Sequence, residues 1–251
     1  MRTPIIAGNW KLNNTISEAV ALTTELKGSV TDCTGVEIIV APTFTALHAV
    51  SDVLKGSNVR LAAQDVYWED SGAFTGEVSA PMLKDIGCDY VIIGHSERRQ
   101  YFGETNESVN QKVKAALSHD LKPIICVGEQ LEDREAGRTE TIIEDHITGG
   151  IADLSDAELL SSVVAYEPVW AIGTGKTATP AQAQEVHSLI RKLLTDAYSD
   201  EVASQIRIQY GGSVKPENAA ELMAQPDVDG ALVGGASLQA ESFAEIVKST
   251  L

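Results

Sequence analysis

Short hydrophobic runs rich in Val and Ile recur along the whole chain, separated by longer segments of mixed polarity. Several runs lack the apolar–polar alternation of a strand with one solvent-facing side. Continuous apolar runs are typical of strands buried on both faces, as in parallel sheets. We predict eight such strands, at residues 5–7, 37–40, 59–62, 90–93, 124–127, 163–166, 206–209 and 230–233.

Helix signals lie between the predicted strands. Thr15 forms a capping box with Glu18, and Thr105 precedes a second helical pattern. Thr179 stands before Pro180, which suits the first position of a third helix. Strand and helix therefore alternate eight times, and no linker rich in Ser, Gly or Pro interrupts them.

Eight β/α units in 251 residues fit a closed (β/α)8 TIM barrel better than an open sheet with a second domain. We therefore expect residues 1–251 to form a single domain. The longest strand-free stretch, from about 130 to 160, is predicted to hold two helices.

The charge balance excludes several classes of partner. Acidic residues outnumber basic ones 36 to 19, the formal net charge is -17, and no Lys/Arg cluster exceeds a dipeptide. Nucleic-acid binding and anionic-membrane binding are not expected. An anion site in this chain must be built locally, from backbone N–H groups and one or two cations.

The cysteines and the apolar segments indicate a cytoplasmic protein. Cys33, Cys88 and Cys126 are odd in number and widely spaced, which suits neither a disulfide framework nor a zinc cluster. The apolar run at the N-terminus is too short for a signal peptide, and no segment reaches the ~18 apolar residues of a membrane span.

Polar residues of reactive types follow several strands directly. Asn9 and Lys11 follow the first strand, His95 and Glu97 the fourth, and Glu167 the sixth. Each one alone is more often a helix cap, a structural histidine or a surface charge. In a barrel of parallel strands, however, they meet on the C-terminal rim, where such folds carry their sites.

Glycines after the last two strands predict an anion site on the same rim. Gly234 and Gly235 can bring backbone N–H groups close to phosphate oxygens, and a helix start follows them. Ser213, with the two glycines before it, can supply the other side. Phosphate binding after strands seven and eight recurs in such barrels.

Two competing motifs are incomplete. Residues 175–177 match the end of a nucleotide-binding P-loop, but its leading glycine is replaced by Trp170. Residues 95–97 match the first half of a zinc-deaminase signature, and the second half, Pro-Cys-x-x-Cys, is absent. We therefore expect neither a nucleotide switch nor a zinc site.

Six segments resemble the triosephosphate isomerase family, and the similarity spans almost the whole chain. The segments are GNWKLN (8–13), GAFTGEVSA (72–80), IIGHSERR (92–99), AYEPVWAIGTGKTATP (165–180), YGGSV (210–214) and DGALVGGASL (229–238). The resemblance implies interconversion of dihydroxyacetone phosphate and glyceraldehyde 3-phosphate through an enediolate. It implies no metal and no organic cofactor.

The resemblance also assigns roles to the rim residues. It implies that Glu167 is the base and that neutral His95 is the electrophile. Lys11 and Asn9 would stabilise the developing negative charge, and Glu97 would pair with Lys11 or relay protons. A carboxylate is a poor base in water, so we expect desolvation to strengthen Glu167, and the N-terminus of a helix to keep His95 neutral.

The resemblance further implies a lid and a dimer. Residues 168–178 would close over the substrate, with Gly173 giving a backbone N–H to the phosphate. A homodimer would form through the loop 72–80, with Thr75 beside the neighbouring active site. Asp65 stands where the family more often has an uncharged amide, so we expect either a weakened dimer or a compensating Arg or Lys.

The nearest rival function is that of another phosphate-binding barrel enzyme, such as an aldolase or a sugar-phosphate epimerase. An aldolase that forms a Schiff base needs a lysine deep within a strand. None of the predicted strands has one, because Lys11 and Lys122 lie at strand ends.

Overall fold

The computed structural model describes residues 2–172 and 177–251. Within them, eight parallel strands pair in chain order, and the last pairs with the first, so that the sheet closes into a barrel. The predicted (β/α)8 fold class is confirmed. The strands are β1 (Ile5–Asn9), β2 (Glu37–Ala41), β3 (Val59–Ala63), β4 (Tyr90–Ile93), β5 (Lys122–Val127), β6 (Val163–Tyr166), β7 (Arg207–Tyr210) and β8 (Gly230–Val233).

Helices surround the barrel. In residues 2–172 and 177–251 the α-helices are α1 (Ile16–Ser29), α2 (Leu47–Leu54), α3 (Ala80–Ile86), α4 (Ser96–Phe102), α5 (Asn106–Ser118), α6 (Leu131–Glu135), α7 (Thr139–Gly150), α8 (Asp156–Leu160), α9 (Pro180–Ala197), α10 (Asp200–Ala203), α11 (Pro216–Met223) and α12 (Ala240–Lys248). Two 3-10 helices lie at Val169–Ala171 and Gly235–Leu238. No helix in this part of the chain is long and apolar enough to cross a membrane.

The prediction of two helices between 130 and 160 is wrong, because the structure has three there. Two of the three helices, α6 and α8, have only five residues each, which is too short to show a hydrophobic period. The three predicted N-caps are confirmed. Thr15 N–H, for example, donates to Glu18 Oε2 at 2.8 Å, and Gln182 N–H donates to Thr179 Oγ1 at 3.2 Å.

Side chains fill the barrel interior, so the fold leaves space for a site only at its ends. Residues such as Ile39, Ile92 and Ile124 are fully buried inside the sheet. At the N-terminal end, Arg207 donates to Glu37 Oε2 at 2.5 Å and to the Tyr90 hydroxyl at 3.3 Å. The reactive residues predicted after the strands lie at the opposite, C-terminal rim.

Candidate active site

A cavity of about 830 Å³ opens at the C-terminal rim, and we call it the rim cavity. Asn9 ends β1, His95 is the N-cap of α4, and Gly234 directly follows β8. Parallel pairing therefore brings together residues more than two hundred positions apart. The predicted site residues that line this cavity are Asn9, Lys11, His95, Glu97, Ser213, Gly234 and Gly235.

Lys11 is held in the rim cavity at both its backbone and its side chain. Its backbone has a positive φ of 51°, and its N–H donates to Asn9 Oδ1 at 3.0 Å. Its carbonyl accepts a hydrogen bond from Gln64 Nε2 at 2.9 Å. Its ammonium donates to Glu97 Oε1 at 2.6 Å. The backbone of Lys11 is therefore held in place, and its ammonium is paired with the half-exposed carboxylate of Glu97.

His95 presents a defined ring nitrogen to the site. Its Nδ1 accepts the backbone N–H of Glu97 at 3.2 Å, as an N-cap side chain does. A nitrogen that accepts a hydrogen bond carries no proton, so in the neutral ring the proton lies on Nε2. Nε2 lies 3.0 Å from Glu167 Oε1.

Glu167 follows β6 and is buried, with 1% of its surface exposed. Ser96 binds its carboxylate through the backbone N–H and the hydroxyl group, each at 2.9 Å. In this position Glu167 lines a second cavity, of about 240 Å³, and not the rim cavity. The carboxylate thus contacts His95 but is turned away from the space that a rim ligand would occupy.

The two facing groups alter each other's pKa. Burial alone would raise the pKa of Glu167, but His95 and Ser96 outweigh burial and lower it. Burial alone would lower the pKa of His95, but the Glu167 carboxylate outweighs burial and raises it. Both directions are opposite to those expected from the sequence, because the sequence does not reveal that the two groups contact each other in this arrangement.

The glycines on the rim divide into two kinds. A Cβ atom on Gly235 would meet nothing within 4 Å, and one on Gly234 would meet only Lys11 Cε at 3.6 Å, so their backbones face open space. A Cβ on Gly212 would lie 2.2 Å from the Tyr210 hydroxyl oxygen, so close packing requires that glycine. The first two suit an anion site.

Metal ligands are not grouped at the rim. Throughout residues 2–172 and 177–251, no three His, Cys, Asp or Glu side chains lie together in a way that could hold a metal ion.

Comparison with known proteins identifies the family. A sequence model described as triosephosphate isomerase matches residues 4–250. Proteins named triosephosphate isomerase from Trichlorobacter lovleyi and Endomicrobium trichonymphae are 61% and 58% identical over 248 residues, 99% of either chain. One from Pelobacter propionicus is 60% identical over 247 residues, 98% of either chain. The chain belongs to the triosephosphate isomerase family. It is therefore an isomerase, and the aldolase and epimerase alternatives are set aside.

Sequence reasoning missed one carboxylate of this triosephosphate isomerase family member. Glu129 Oε1 accepts hydrogen bonds from the Tyr166 hydroxyl at 3.1 Å, Trp170 Nε1 at 2.9 Å and Arg134 Nη1 at 3.1 Å. It thereby ties down the start of the predicted lid, 168–178. The available signal was the apolar run 124–127 followed at once by Gly128 and Glu129, similar to the run that precedes Glu167.

The predicted lid is described only at its two ends. Ile172 lines the rim cavity, and Ala178 is buried. Gly173, which was predicted to contact the phosphate, lies outside the described residues, as do positions 174–176.

Asp65 has the compensating partners that we considered. It is 5% exposed, Lys112 Nζ lies 2.7 Å from its Oδ1, and Arg98 Nη2 lies 2.9 Å from its Oδ2. Glu104 binds the same two cations. Burial is the largest influence and raises the pKa of Asp65 to about 6, despite the attraction of Lys112.

Proposed function

We propose that this isomerase interconverts dihydroxyacetone phosphate and D-glyceraldehyde 3-phosphate by proton transfer through an enediolate. Three relatives carry the name triosephosphate isomerase, which supports triose phosphates as the substrates. The observation that carries the proposal is the convergence of Lys11, Asn9 and His95 on the cavity that Gly234 and Gly235 also line. This cavity can hold a three-carbon phosphate with its reacting end near the cation and the imidazole.

In the proposed reaction, Glu167 leaves Ser96 and accepts a proton from C1 of dihydroxyacetone phosphate. The electron pair of the broken C–H bond forms the C1–C2 double bond, and the oxygen on C2 becomes negatively charged. Neutral His95 donates its Nε2–H to the substrate oxygens, and Lys11 and Asn9 stabilise the charge. Glu167 then returns the proton to C2, while the hydroxyl proton on O1 moves to O2.

Lys11 and His95 act on charge that develops only during the reaction. The Lys11–Glu97 pair at 2.6 Å holds the ammonium group at the wall of the rim cavity. The Nδ1 contact with Glu97 N–H keeps the proton on His95 Nε2, where a substrate oxygen can accept it. For Glu97 we propose only the role of partner to Lys11.

The phosphate would lie against backbone N–H groups. Gly234 and Gly235 have no side chain to hold a dianion away, and Ser213 lines the same cavity. Residues 168–178, with Gly173, would close over the phosphate and exclude water, a motion for which this family is a standard example. Such local contacts can overcome the net charge of -17, which disfavours long-range attraction of an anion.

We also propose a homodimer. Large hydrophobic side chains are exposed in segments that follow four consecutive strands, β1 to β4: Leu12, Phe44, Phe74, Met82, Tyr101 and Phe102. Monomeric proteins rarely expose so many neighbouring apolar groups on one side. The loop 72–80 lies among them, with Thr75 exposed at its tip. A second copy of the chain would cover this face.

Two broader proposals accompany the function. Because β1 pairs with β8, barrel closure needs both ends of the chain, which supports one domain over residues 1–251.

The cysteines Cys33, Cys88 and Cys126 are buried free thiols, as suits a reducing cytoplasm.

A coupled assay with glyceraldehyde 3-phosphate tests the proposed function. We expect dihydroxyacetone phosphate to form at the same rate with and without a chelator. Absence of turnover, or its loss on chelation, would contradict the proposal.

A further inference from the structure

Lys11 reaches the rim cavity from an unusual backbone conformation. Its φ of 51° lies in the left-handed region, which residues other than glycine seldom adopt. Such a conformation persists only where the surrounding groups hold it. The backbone sets the direction in which a side chain starts, so the position of the Lys11 ammonium depends on this conformation.

Hydrogen bonds hold the backbone of Lys11 on both sides. Its N–H donates to Asn9 Oδ1 at 3.0 Å, and its carbonyl oxygen accepts a hydrogen bond from Gln64 Nε2 at 2.9 Å. Asn9 is only two positions away in the chain, whereas Gln64 is 53 positions away. Gln64 therefore ties the Lys11 backbone to a different part of the barrel.

Gln64 is itself firmly placed. It directly follows β3, and the next residue, Asp65, is buried and ion-paired. Its Nε2 also donates to the carbonyl oxygen of Ala41, the last residue of β2, at 2.9 Å. An amide nitrogen carries two hydrogens, so the two carbonyl groups use both of them. Gln64 thus links the ends of β2 and β3 to the loop that carries Lys11.

Gln64 has this position without lining the rim cavity. Lys11 belongs to the wall of the cavity, and Gln64 does not. A substrate in the cavity would therefore meet the Lys11 ammonium and not the Gln64 amide. Gln64 can act on the reaction only through the groups that it holds.

We propose that Gln64 is a positioning residue: by binding the carbonyl oxygen of Lys11, it keeps the Lys11 backbone left-handed and the ammonium at the wall of the rim cavity. This inference rests on the proposed role of Lys11 in stabilising negative charge on the substrate oxygen. Stabilisation of this kind requires a charge that is in place before the reaction begins. Without Gln64 the Lys11 backbone would relax toward negative φ, and the ammonium would lose its alignment.

The fold itself should depend little on Gln64. The carbonyl oxygen of Ala41 also accepts the backbone N–H of Trp10 at 3.1 Å, so it keeps a partner when the amide is removed. Lys11 lies in a partly exposed loop, where water can replace a lost hydrogen bond. We therefore expect variants at position 64 to fold.

Gln64→Met tests the inference, because methionine has nearly the size of glutamine but no hydrogen-bond donor. With glyceraldehyde 3-phosphate as the substrate, kcat should fall about tenfold or more, since the displaced ammonium no longer faces the developing charge. KM should change less than about threefold, because this charge is absent from the bound substrate. Gln64→Asn keeps an amide that is one methylene too short to reach both carbonyl groups, and it should lose kcat as well.

Gln225→Met is the matched control. Gln225 is half-buried like Gln64, its amide donates to the carbonyl oxygen of Glu221 at 3.2 Å, and it does not line the rim cavity. This variant should keep the kcat and the KM of the parent. Thermal unfolding of all three variants should show a cooperative transition, as for the parent.

A double-mutant cycle separates positioning from a general structural role. Calorimetry measures the affinity for a phosphorylated hydroxamate that mimics the enediolate, and this measurement needs no turnover. Gln64→Met should weaken binding about tenfold in the parent and less than about twofold in a Lys11→Met background, where no ammonium is left to position.

Equal weakening in the two backgrounds, or an unchanged kcat in a folded Gln64 variant, overturns the inference, while turnover by the parent still supports the proposed function. A parent protein without turnover would instead contradict the proposed function itself.

Discussion

Ser96 holds the carboxylate of Glu167 at two points, through its backbone N–H to Oε2 and its hydroxyl to Oε1, both at 2.9 Å. These contacts fix the carboxylate against the first turn of α4. A carboxylate that accepts several hydrogen bonds is a weaker base than a free one. The proposed reaction therefore requires Glu167 to leave Ser96 before it removes a proton from carbon.

Ser96→Ala should raise the pKa of Glu167 in the free enzyme. One of the hydrogen bonds that favour the ionised carboxylate is lost, while burial, which favours the protonated form, remains. Because kcat/KM reports the free enzyme, its acid limb should move to higher pH by about one unit or less. Profiles of kcat/KM against pH for the parent, Ser96→Ala and the exposed control Ser118→Ala measure this. An unmoved limb, or a shift to lower pH, would contradict the assignment.

Glu167→Gln should remove nearly all turnover and leave binding of a substrate analogue intact, because the amide cannot accept the carbon-bound proton. Glu167→Asp should reduce kcat on the order of 100-fold or more, since a base displaced by about 1 Å loses its alignment. Steady-state kinetics and analogue titration measure both effects. If Glu167→Gln kept most of its activity, Glu167 would not be the base.

The sequence predicted the barrel because its strands are buried on both faces. The apolar runs at 163–166 and 230–233 coincide with β6 and β8. The sequence also predicted which residues lie on the rim, because a residue directly after a parallel strand must lie at the C-terminal end of that strand. Asn9 and His95 were located in this way.

What the sequence did not predict depends on neighbours distant in the chain. Glu167 is turned toward Ser96, 71 positions away, and this side-chain orientation leaves no periodic signal. The partner of Asp65 is Lys112, which lies 47 positions on. Both pKa predictions for Glu167 and His95 had the wrong direction in this arrangement for the same reason.

Asp65→Asn should gain stability relative to the parent as the pH rises through about 6. Burial raises the pKa of Asp65 to about 6 from 3.8, so between these values the native state binds more protons than the unfolded state. Stability contributed by the protonated form is then lost as the pH rises, whereas an asparagine side chain does not titrate.

Between pH 4 and pH 8 the stability of Asp65→Asn relative to the parent should rise by about 3 kcal/mol. Thermal unfolding from pH 4 to 8, with sedimentation equilibrium for the dimer, measures it. If the parent instead became more stable than Asp65→Asn as the pH rises, Lys112 and Arg98 would compensate the negative charge of Asp65 fully.

His187→Phe should reduce the loss of stability in acid. His187 is fully buried, Asp227 O accepts a hydrogen bond from its Nδ1 at 3.0 Å, and burial lowers its pKa to about 4. Between pH 4 and 6.5 the unfolded state binds the extra proton, so stability is complete above 6.5 and falls by about 3 kcal/mol toward pH 4. Urea unfolding at several pH values in this range measures the free energy of unfolding. This free energy should fall less steeply with falling pH for His187→Phe than for the parent. The exposed control His48→Phe should show the same pH dependence of the free energy of unfolding as the parent. The same pH dependence in all three proteins would contradict the prediction.

The most direct test of the proposed site is a crystal structure with a bound phosphorylated enediolate analogue. We predict that Glu167 leaves Ser96 and comes within ~3 Å of the reacting carbons. His95 Nε2 and Lys11 Nζ should bind the oxygen end of the analogue, and the backbone N–H groups of Gly234 and Gly235 should bind its phosphate. An analogue bound with Glu167 still on Ser96, or with its phosphate away from the two glycines, would contradict the account.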